Sequence, residues 1–311
     1  MKLEKLPKIA LGAWAWGNDG TFGNDLNIEE LQPIFNTAIE NGLNLWDTAF
    51  VYGMGISEEI LGKFIKNTDK KCIISTKFTP QCADPYAENP VTAMFENSQR
   101  LLNSDFIDIY WIHNPVGAPE YTKKLVETAK EGNIGRIGVS NHNLEEIKEA
   151  HEILKDADLE LSAVQNHFSL LNRSSQDSGI LDYCKENNIT FFSYMVLEQG
   201  ALSGKYNTKN PFPEGSARSL AYNPILPEIE KINEVVGEIA NSHDVSIAQI
   251  MISWAISKET LPIIGATKVK HVTDAIEASK IVLSKDEIKI MEEVADNANI
   301  STIREWEKVM E

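Results

Sequence analysis

Four residues in this chain have the types and positions to move a proton. Asp47 stands where the short apolar run Leu43–Trp46 gives out, and Tyr52 follows five residues later beside Gly53. Lys77 and His113 close later apolar runs in the same way. Each has a plain structural alternative. A strand-end aspartate often bonds backbone amides, a lysine is usually solvated, and a lone histidine is often satisfied in a core. What favours a shared site is that successive runs end alike, each in one polar group.

The set suits one task. A phenol with an unperturbed pKa of about 10 is a poor proton donor at neutral pH unless a neighbour stabilises the phenolate left behind. An adjacent ammonium does so. Lys77 can supply that charge, Asp47 can hold the lysine ionised, and His113 can aim a substrate oxygen. Such a group donates a proton to an oxygen on which negative charge develops, as in carbonyl reduction. No side chain donates hydride, so a nicotinamide cofactor has to be supplied.

These residues need elements that bring run ends together. Apolar runs with strand character recur at Ile9–Trp14, Leu43–Trp46, Cys72–Thr76, Phe106–Ile112, Ile134–Val139, Leu161–Val164, Thr190–Tyr194 and Leu261–Ile264. Between them apolar residues take helical spacing, as in Ile28, Leu31, Phe35 and Ala38, or Ile60, Leu61 and Phe64. Asn27 and Ser57 precede acidic first turns and read as helix starts. Alternating strands and helices imply parallel strands with crossover helices, and eight strands favour a closed (β/α)8 TIM barrel over an open sheet. In such a barrel reactive groups gather at the C-terminal strand ends. The expectation is an α/β fold with one domain over residues 1–311. The stretch Leu197–Pro227, rich in Gly and Pro, reads as a long functional loop.

Composition narrows the function. The 311 residues carry 29 Lys plus Arg against 46 Asp plus Glu, a formal charge of −17. That excess argues against nucleic acid or an anionic membrane as partner, both of which need a basic face. Local lysines and helix N-termini can still hold an anionic cofactor. Cys72, Cys82 and Cys184 are odd in number, lack CxxC spacing and read as free thiols of a reducing compartment. No signal peptide and no membrane span are recognised, so the expected location is the cytoplasm. Nothing in the pattern points to a metal, and oligomeric state is left open.

The chain as a whole resembles the aldo-keto reductase superfamily. Leu11-Gly12-Ala13-Trp14 is similar to the family's opening strand. Asp47-Thr48-Ala49 through Tyr52-Gly53, with Gly55-Ile56-Ser57-Glu58 and Leu61-Gly62, resembles its most distinctive signature. Ser75-Thr76-Lys77 and Asp108-Ile109-Tyr110-Trp111-Ile112-His113 resemble the lysine and histidine strands. Gly138-Val139-Ser140-Asn141 and Val164-Gln165 are similar to segments that hold the nicotinamide carboxamide. Tyr194, Leu197 and Gln199-Gly200-Ala201-Leu202-Ser203-Gly204-Lys205-Tyr206 resemble the stacking tyrosine and the loop covering the cofactor. Ile264-Gly265-Ala266-Thr267-Lys268 is similar to the turn that binds the adenosine 2′-phosphate.

This resemblance implies Tyr52 as general acid, Lys77 as its charged partner, Asp47 as the partner of Lys77, and His113 as the orienting group. It implies NADP(H) as cofactor, with Tyr194 stacked on the nicotinamide and Lys268 favouring NADPH over NADH. Further contacts are implied for Gly12, Ala13 and Trp14 at the first strand, and for Met195 and Val196 beside Tyr194. Thr267, His271 and Asp274 join them near the adenosine. Arg218, in the long loop, is a candidate for closing over the cofactor or a solvated arginine. Some positions depart from the family pattern. Tyr194-Met195-Val196-Leu197 replaces Tyr-Ser-Pro-Leu, Asp274-Ala275 replaces Glu-Asn, and Asn114-Pro115 follows His113 without an acid.

Trp14, Trp16, Met54, Phe78 and Trp111 could line a pocket for an apolar or aromatic carbonyl compound, with core packing as the alternative. The leading expectation is an NADPH-dependent oxidoreductase reducing a small aldehyde or ketone. The alternative is a nicotinamide-binding regulatory or auxiliary subunit; the barrel begins within about ten residues of Met1, leaving nothing like an inactivating N-terminal segment. A Schiff-base lyase or isomerase would need Lys77 neutral, which a charged Asp47 opposes.

Overall fold

The computed structural model describes residues 5–22, 26–304, 307 and 310. Eight parallel strands close into a barrel: β1 (Ala10–Gly12), β2 (Leu45–Asp47), β3 (Ile73–Phe78), β4 (Ile107–Ile112), β5 (Ile134–Ser140), β6 (Leu161–His167), β7 (Thr190–Tyr194) and β8 (Leu261–Gly265). Strand β8 pairs back onto β1, Gly12 opposite Gly265. Crossover helices ring the barrel: α1 (Ile28–Glu40), α2 (Ile56–Lys66), α3 (Pro90–Leu102), α4 (Glu120–Ala129), α5 (Leu144–Asp156), α6 (Ser174–Asp177), α7 (Ile180–Glu186), α8 (Ala217–Tyr222), α9 (Leu226–Ser242), α10 (Ile247–Ser257), α11 (Val269–Ala278) and α12 (Lys285–Ala298). The expected fold class and strand order are therefore present.

Side chains alternate across a strand, so each strand serves two cores. One set, including Leu45, Ile73, Ile109, Trp111, Ala163 and Phe192, fills the barrel interior. The neighbours in phase between them, such as Trp46, Ile74, Tyr110, Ile112, Val164 and Phe191, pack outward under the helices. Counting by two from the interior set toward the C-terminal ends gives Asp47, Lys77, His113, Gln165 and Tyr194. The same alternation that buries the apolar residues thus aims the polar ones into one mouth. Gly138 belongs to this logic: a Cβ there would lie 2.2 Å from Trp111 Cε3, so the indole uses the space a side chain would take.

The local signals hold in part. Asn27 caps α1 in a capping box with Glu30. Ser57 does not cap α2; Gly55 does, and Ser57 lies inside the helix, its hydroxyl donating to Ala13 O at 2.7 Å. The strands bearing Asp47, Lys77 and Gln165 run further than the apolar runs, because the polar residues still pair in the barrel ladder. Helices α3 and α7 are additional to the helices expected from apolar spacing. Nor is the stretch Leu197–Pro227 loop throughout, since α8 and short 3-10 turns at Glu198–Ser203 and Asn223–Ile225 lie within it. Of the pocket candidates, Trp16, Phe78 and Trp111 are fully buried core residues, while Met54 is 62% exposed at the rim. All three cysteines are free thiols.

One carboxyl sits on the outer side of β3. Glu58 of α2 is fully buried and accepts from Thr76 Oγ1 at 2.6 Å. Burial pushes its pKa from the usual 4.5 to about 7, against the pull of Thr76, Ser98 and Lys77. A raised acid favours the folded state while protonated. Its contribution is complete below the ordinary glutamate range and is lost as pH rises through about 7. Thermal melts across that range should show wild type losing stability on the alkaline side. Glu58→Gln should lack this component and melt higher than wild type above pH about 7.

Candidate active site

The mouth of the barrel is built on a buried ion pair. Lys77 Nζ lies 2.6 Å from Asp47 Oδ1, the two side chains 0% and 5% exposed. The remaining ammonium hydrogens reach Thr48 O at 2.8 Å and Tyr52 Oη at 3.5 Å, so all three are engaged. The other oxygen of Asp47 accepts from Ser75 Oγ at 2.7 Å and Gln165 Nε2 at 3.1 Å. Ser75 Oγ in turn accepts from the Trp111 indole at 2.7 Å. Strands β2, β3, β4 and β6 therefore all hold one carboxylate–ammonium pair. Burial pulls the Lys77 pKa down, but Asp47 and Tyr52 outweigh it and the group stays above its ordinary value. Lys77 is an ammonium, not a neutral amine.

Tyr52 reaches this pair from a tight turn. Gly53, at φ +67°, is a position where only glycine fits: a Cβ would meet Gly17 O at 2.0 Å. The turn thus packs on the backbone after β1, and the Trp14 ring stacks on Tyr52 with centroids 5.6 Å apart. Trp14 Nε1 donates to Asp19 Oδ2 at 2.8 Å. The expected lowering of the phenol is present as a contribution from Lys77, but it does not prevail. Burial raises the Tyr52 pKa by more, and Asp47 and Asp19 add to the rise. The phenol therefore keeps its proton at neutral pH, and the ammonium beside it stands ready to stabilise the phenolate.

His113 completes the constellation. Its ring lies edge-on to Tyr52 at 5.8 Å, and Nδ1 is bonded to Thr79 Oγ1 at 2.8 Å. Nε2 has no hydrogen-bond partner among the described residues. Burial, with Lys77 nearby, holds the imidazole well below its usual pKa, so it is neutral. Beside it, Asn141 Nδ2 donates to His113 O at 2.9 Å and to Ser140 Oγ at 3.2 Å, and Asn141 Oδ1 accepts from Tyr194 Oη at 2.6 Å.

Further along the mouth the groups are donors. Gln199 Nε2 and Arg218 Nε are buried without hydrogen-bond acceptors. Arg218 crosses the mouth, donating to Gln199 O at 3.4 Å and Phe22 O at 2.8 Å. Lys268, at the N-cap of α11, is exposed and has no ion-pair partner among the described residues. Unused N–H groups and a free ammonium at a helix N-terminus suit a phosphate-bearing ligand.

A family model for the Aldo/keto reductase family matches residues 8–296. The chain belongs to this family. Among its relatives, a chloroplastic pyridoxal reductase of Arabidopsis thaliana is 32% identical, the match covering 95% of this chain and 85% of that protein. An NADP(+) aldo-keto reductase of Schizosaccharomyces pombe is 28% identical, covering 94% and 89%. Among solved structures, the glycerol dehydrogenase of Gluconobacter oxydans superposes with a TM-score of 0.81 at 25% identity, over 96% of this chain and 94% of that one.

The expected cofactor contacts differ in how far they are exposed. Gly12, Ala13, Val196 and Ala266 are buried, and Ala13 N, Ala13 O, Ala266 N and Ala266 O are all taken by protein hydrogen bonds. Ser140 and Gln165 are buried to the same degree. Asp274 pairs through both oxygens with Lys270 at 2.7 Å. Met195, at φ +62°, Leu197, Gly200, Gly265, Thr267 and His271 remain at the surface or half-buried along the groove, with His271 Nδ1 accepting from Thr267 N at 3.3 Å.

The sequence reading missed a second polar cluster behind Tyr194. His167, two residues past Gln165 in β6, places Nε2 2.8 Å from Glu198 Oε1 and Nδ1 2.9 Å from Glu307 Oε2. The fully buried Glu198 also accepts from Ser169, from Tyr222 Oη at 2.8 Å and from Thr302 at 2.9 Å. The available signal was parity alone: β6 continues past Val164, so its later residues are also strand residues.

The ion pair at the centre yields a stability prediction. Asp47→Asn leaves the Lys77 ammonium buried without a counter-charge, which costs about 3–5 kcal/mol. Chemical denaturation should show that loss, and the double variant Asp47→Asn/Lys77→Met should recover part of it.

Proposed function

We propose that this protein reduces an aldehyde or ketone to the alcohol, with NADPH as hydride source and Tyr52 as proton donor. The observation that carries the reading is the buried set Tyr52 Oη–Lys77 Nζ–Asp47 at 3.5 and 2.6 Å, opening on the same mouth as neutral His113. The family supports the reaction class, and relatives named pyridoxal reductase and NADP(+) aldo-keto reductase support a carbonyl substrate and a phosphorylated dinucleotide.

The nicotinamide ring, when bound, supplies hydride to the carbonyl carbon. Every other part of the reaction belongs to the chain. His113 Nε2 and Tyr52 Oη together hold the carbonyl oxygen. As negative charge develops there, the Tyr52 O–H transfers its proton and Lys77 stabilises the phenolate. Asp47 keeps Lys77 charged and in place. Ser140, Asn141, Gln165 and Tyr194 frame the nicotinamide. Lys268 and the α11 N-terminus hold the 2′-phosphate, and Gln199 and Arg218 reach the remaining phosphates. Stacked Trp14 and exposed Met54 shape an apolar entrance that suits an apolar or aromatic carbonyl compound. No helix among the described residues is long and apolar enough to cross a membrane, and the reading takes residues 1–311 as one cytoplasmic domain.

Loss of NADPH absorbance with a panel of aromatic aldehydes tests the chemistry. Tyr52→Phe should lower kcat by about 10²- to 10⁴-fold while NADPH still binds. Undiminished turnover in that variant would refute the proton-donor role. Binding without turnover on any carbonyl, in wild type, would point instead to a regulatory cofactor-binding subunit. Lys268→Met should weaken NADPH by about tenfold and leave NADH unchanged, measured as dissociation constants by fluorescence.

A further inference from the structure

The cluster behind Tyr194 poses a problem of proton accounting. Tyr194 Oη lies 2.6 Å from Asn141 Oδ1 and 2.8 Å from Glu307 Oε1. A phenol has one proton, and both partners are acceptors. The Asn141 amide cannot turn to offer its NH2, because Nδ2 already donates to His113 O at 2.9 Å and a flip would set two carbonyl oxygens against each other. Glu307 does not bring the proton either. Its other oxygen accepts from His167 and, at 2.9 Å, from Arg304 N, and although burial raises its pKa, these partners hold it below the ordinary glutamate value. His167 is itself clamped between two carboxylates, which override its burial and raise its pKa to about 10, so it is an imidazolium. It stacks on the Tyr194 ring at 5.6 Å and 28°. One phenol proton thus faces a neutral amide oxygen and an anchored carboxylate, and the carboxylate is the stronger acceptor.

We infer that Glu307 is a positioning residue for the cofactor: by accepting the Tyr194 O–H hydrogen bond it releases Asn141 Oδ1 to accept from the carboxamide NH2 of a nicotinamide. This rests on the placement of the nicotinamide beside Tyr194 under the proposed function. Asn141 is bonded to the backbone of His113, so an amide acceptor there lies beside the group that holds the substrate oxygen. The cofactor brings amide N–H groups that must be satisfied once water is excluded. Without Glu307 the phenol has no acceptor but Asn141, and competes with the cofactor for it. His167, fixed by Glu198, acts one step further back by keeping the carboxylate charged and aimed.

The test compares dissociation constants, by quenching of tryptophan fluorescence, for NADPH and for 2′-phospho-ADP-ribose, which lacks the nicotinamide. Glu307→Ala should weaken NADPH by about tenfold and leave 2′-phospho-ADP-ribose unchanged, which also shows that the variant is folded. Tyr194→Phe in the same background removes the competing phenol and should restore NADPH affinity. Equal weakening of both ligands, or no rescue by Tyr194→Phe, would overturn the inference and leave Glu307 a structural anchor of the C-terminal segment. If wild type binds the two ligands alike, the nicotinamide placement itself fails, and the inference with it.

Discussion

An ammonium buried at the mouth of the barrel is the constraint on which the site depends. A lysine taken out of water loses several kcal/mol of hydration unless the protein replaces it with an opposite charge and further acceptors. Here the replacement is complete: Asp47, Thr48 O and Tyr52 Oη take the three hydrogens of Lys77. Asp47 is in turn held by Ser75 and Gln165, and Ser75 by Trp111. The apolar barrel interior, the ion pair and the phenol are one continuous structure. A shift of any contributing strand would leave a buried charge short of a partner, so the arrangement of phenol, ammonium and carboxylate is fixed by the same forces that keep the charge inside.

The constraint also sets the protonation states. A fully paired ammonium cannot act as a neutral amine, which removes the Schiff-base reading of Lys77. The phenol beside it is pulled in both directions, and burial wins, so it stays loaded with its proton. The imidazole of His113, near the same ammonium, stays neutral. His167 has the opposite fate although it is more deeply buried, because two carboxylates flank it. Two histidines on neighbouring parts of one mouth thus differ in charge through their partners alone.

A net charge of −17 does not conflict with a site for a phosphorylated ligand. Charges on a solvated surface are screened within about 10 Å. In the proposed function a phosphate meets the local set: Lys268 at the α11 N-terminus, Arg218 and the amide of Gln199.

The sequence by itself determined the barrel and the mouth. Recurrent apolar runs with helical spacing between them specify strands and crossover helices, and the two-residue alternation of a strand decides that Asp47, Lys77, His113 and Gln165 point inward. Those are local, periodic facts, legible without coordinates. The tertiary structure decided what periodicity cannot carry. It showed that Trp16, Phe78 and Trp111 are core and that Ala13, Val196 and Ala266 are buried, because burial depends on what packs above a residue. It set the phenol above its ordinary pKa, since desolvation is a property of the whole surrounding shell. It also joined His167, Glu198 and Glu307, residues separated by 31 and 109 positions. Contacts made by the path of the chain rather than by its local pattern leave no period in the sequence, and for that reason only the fold reveals them.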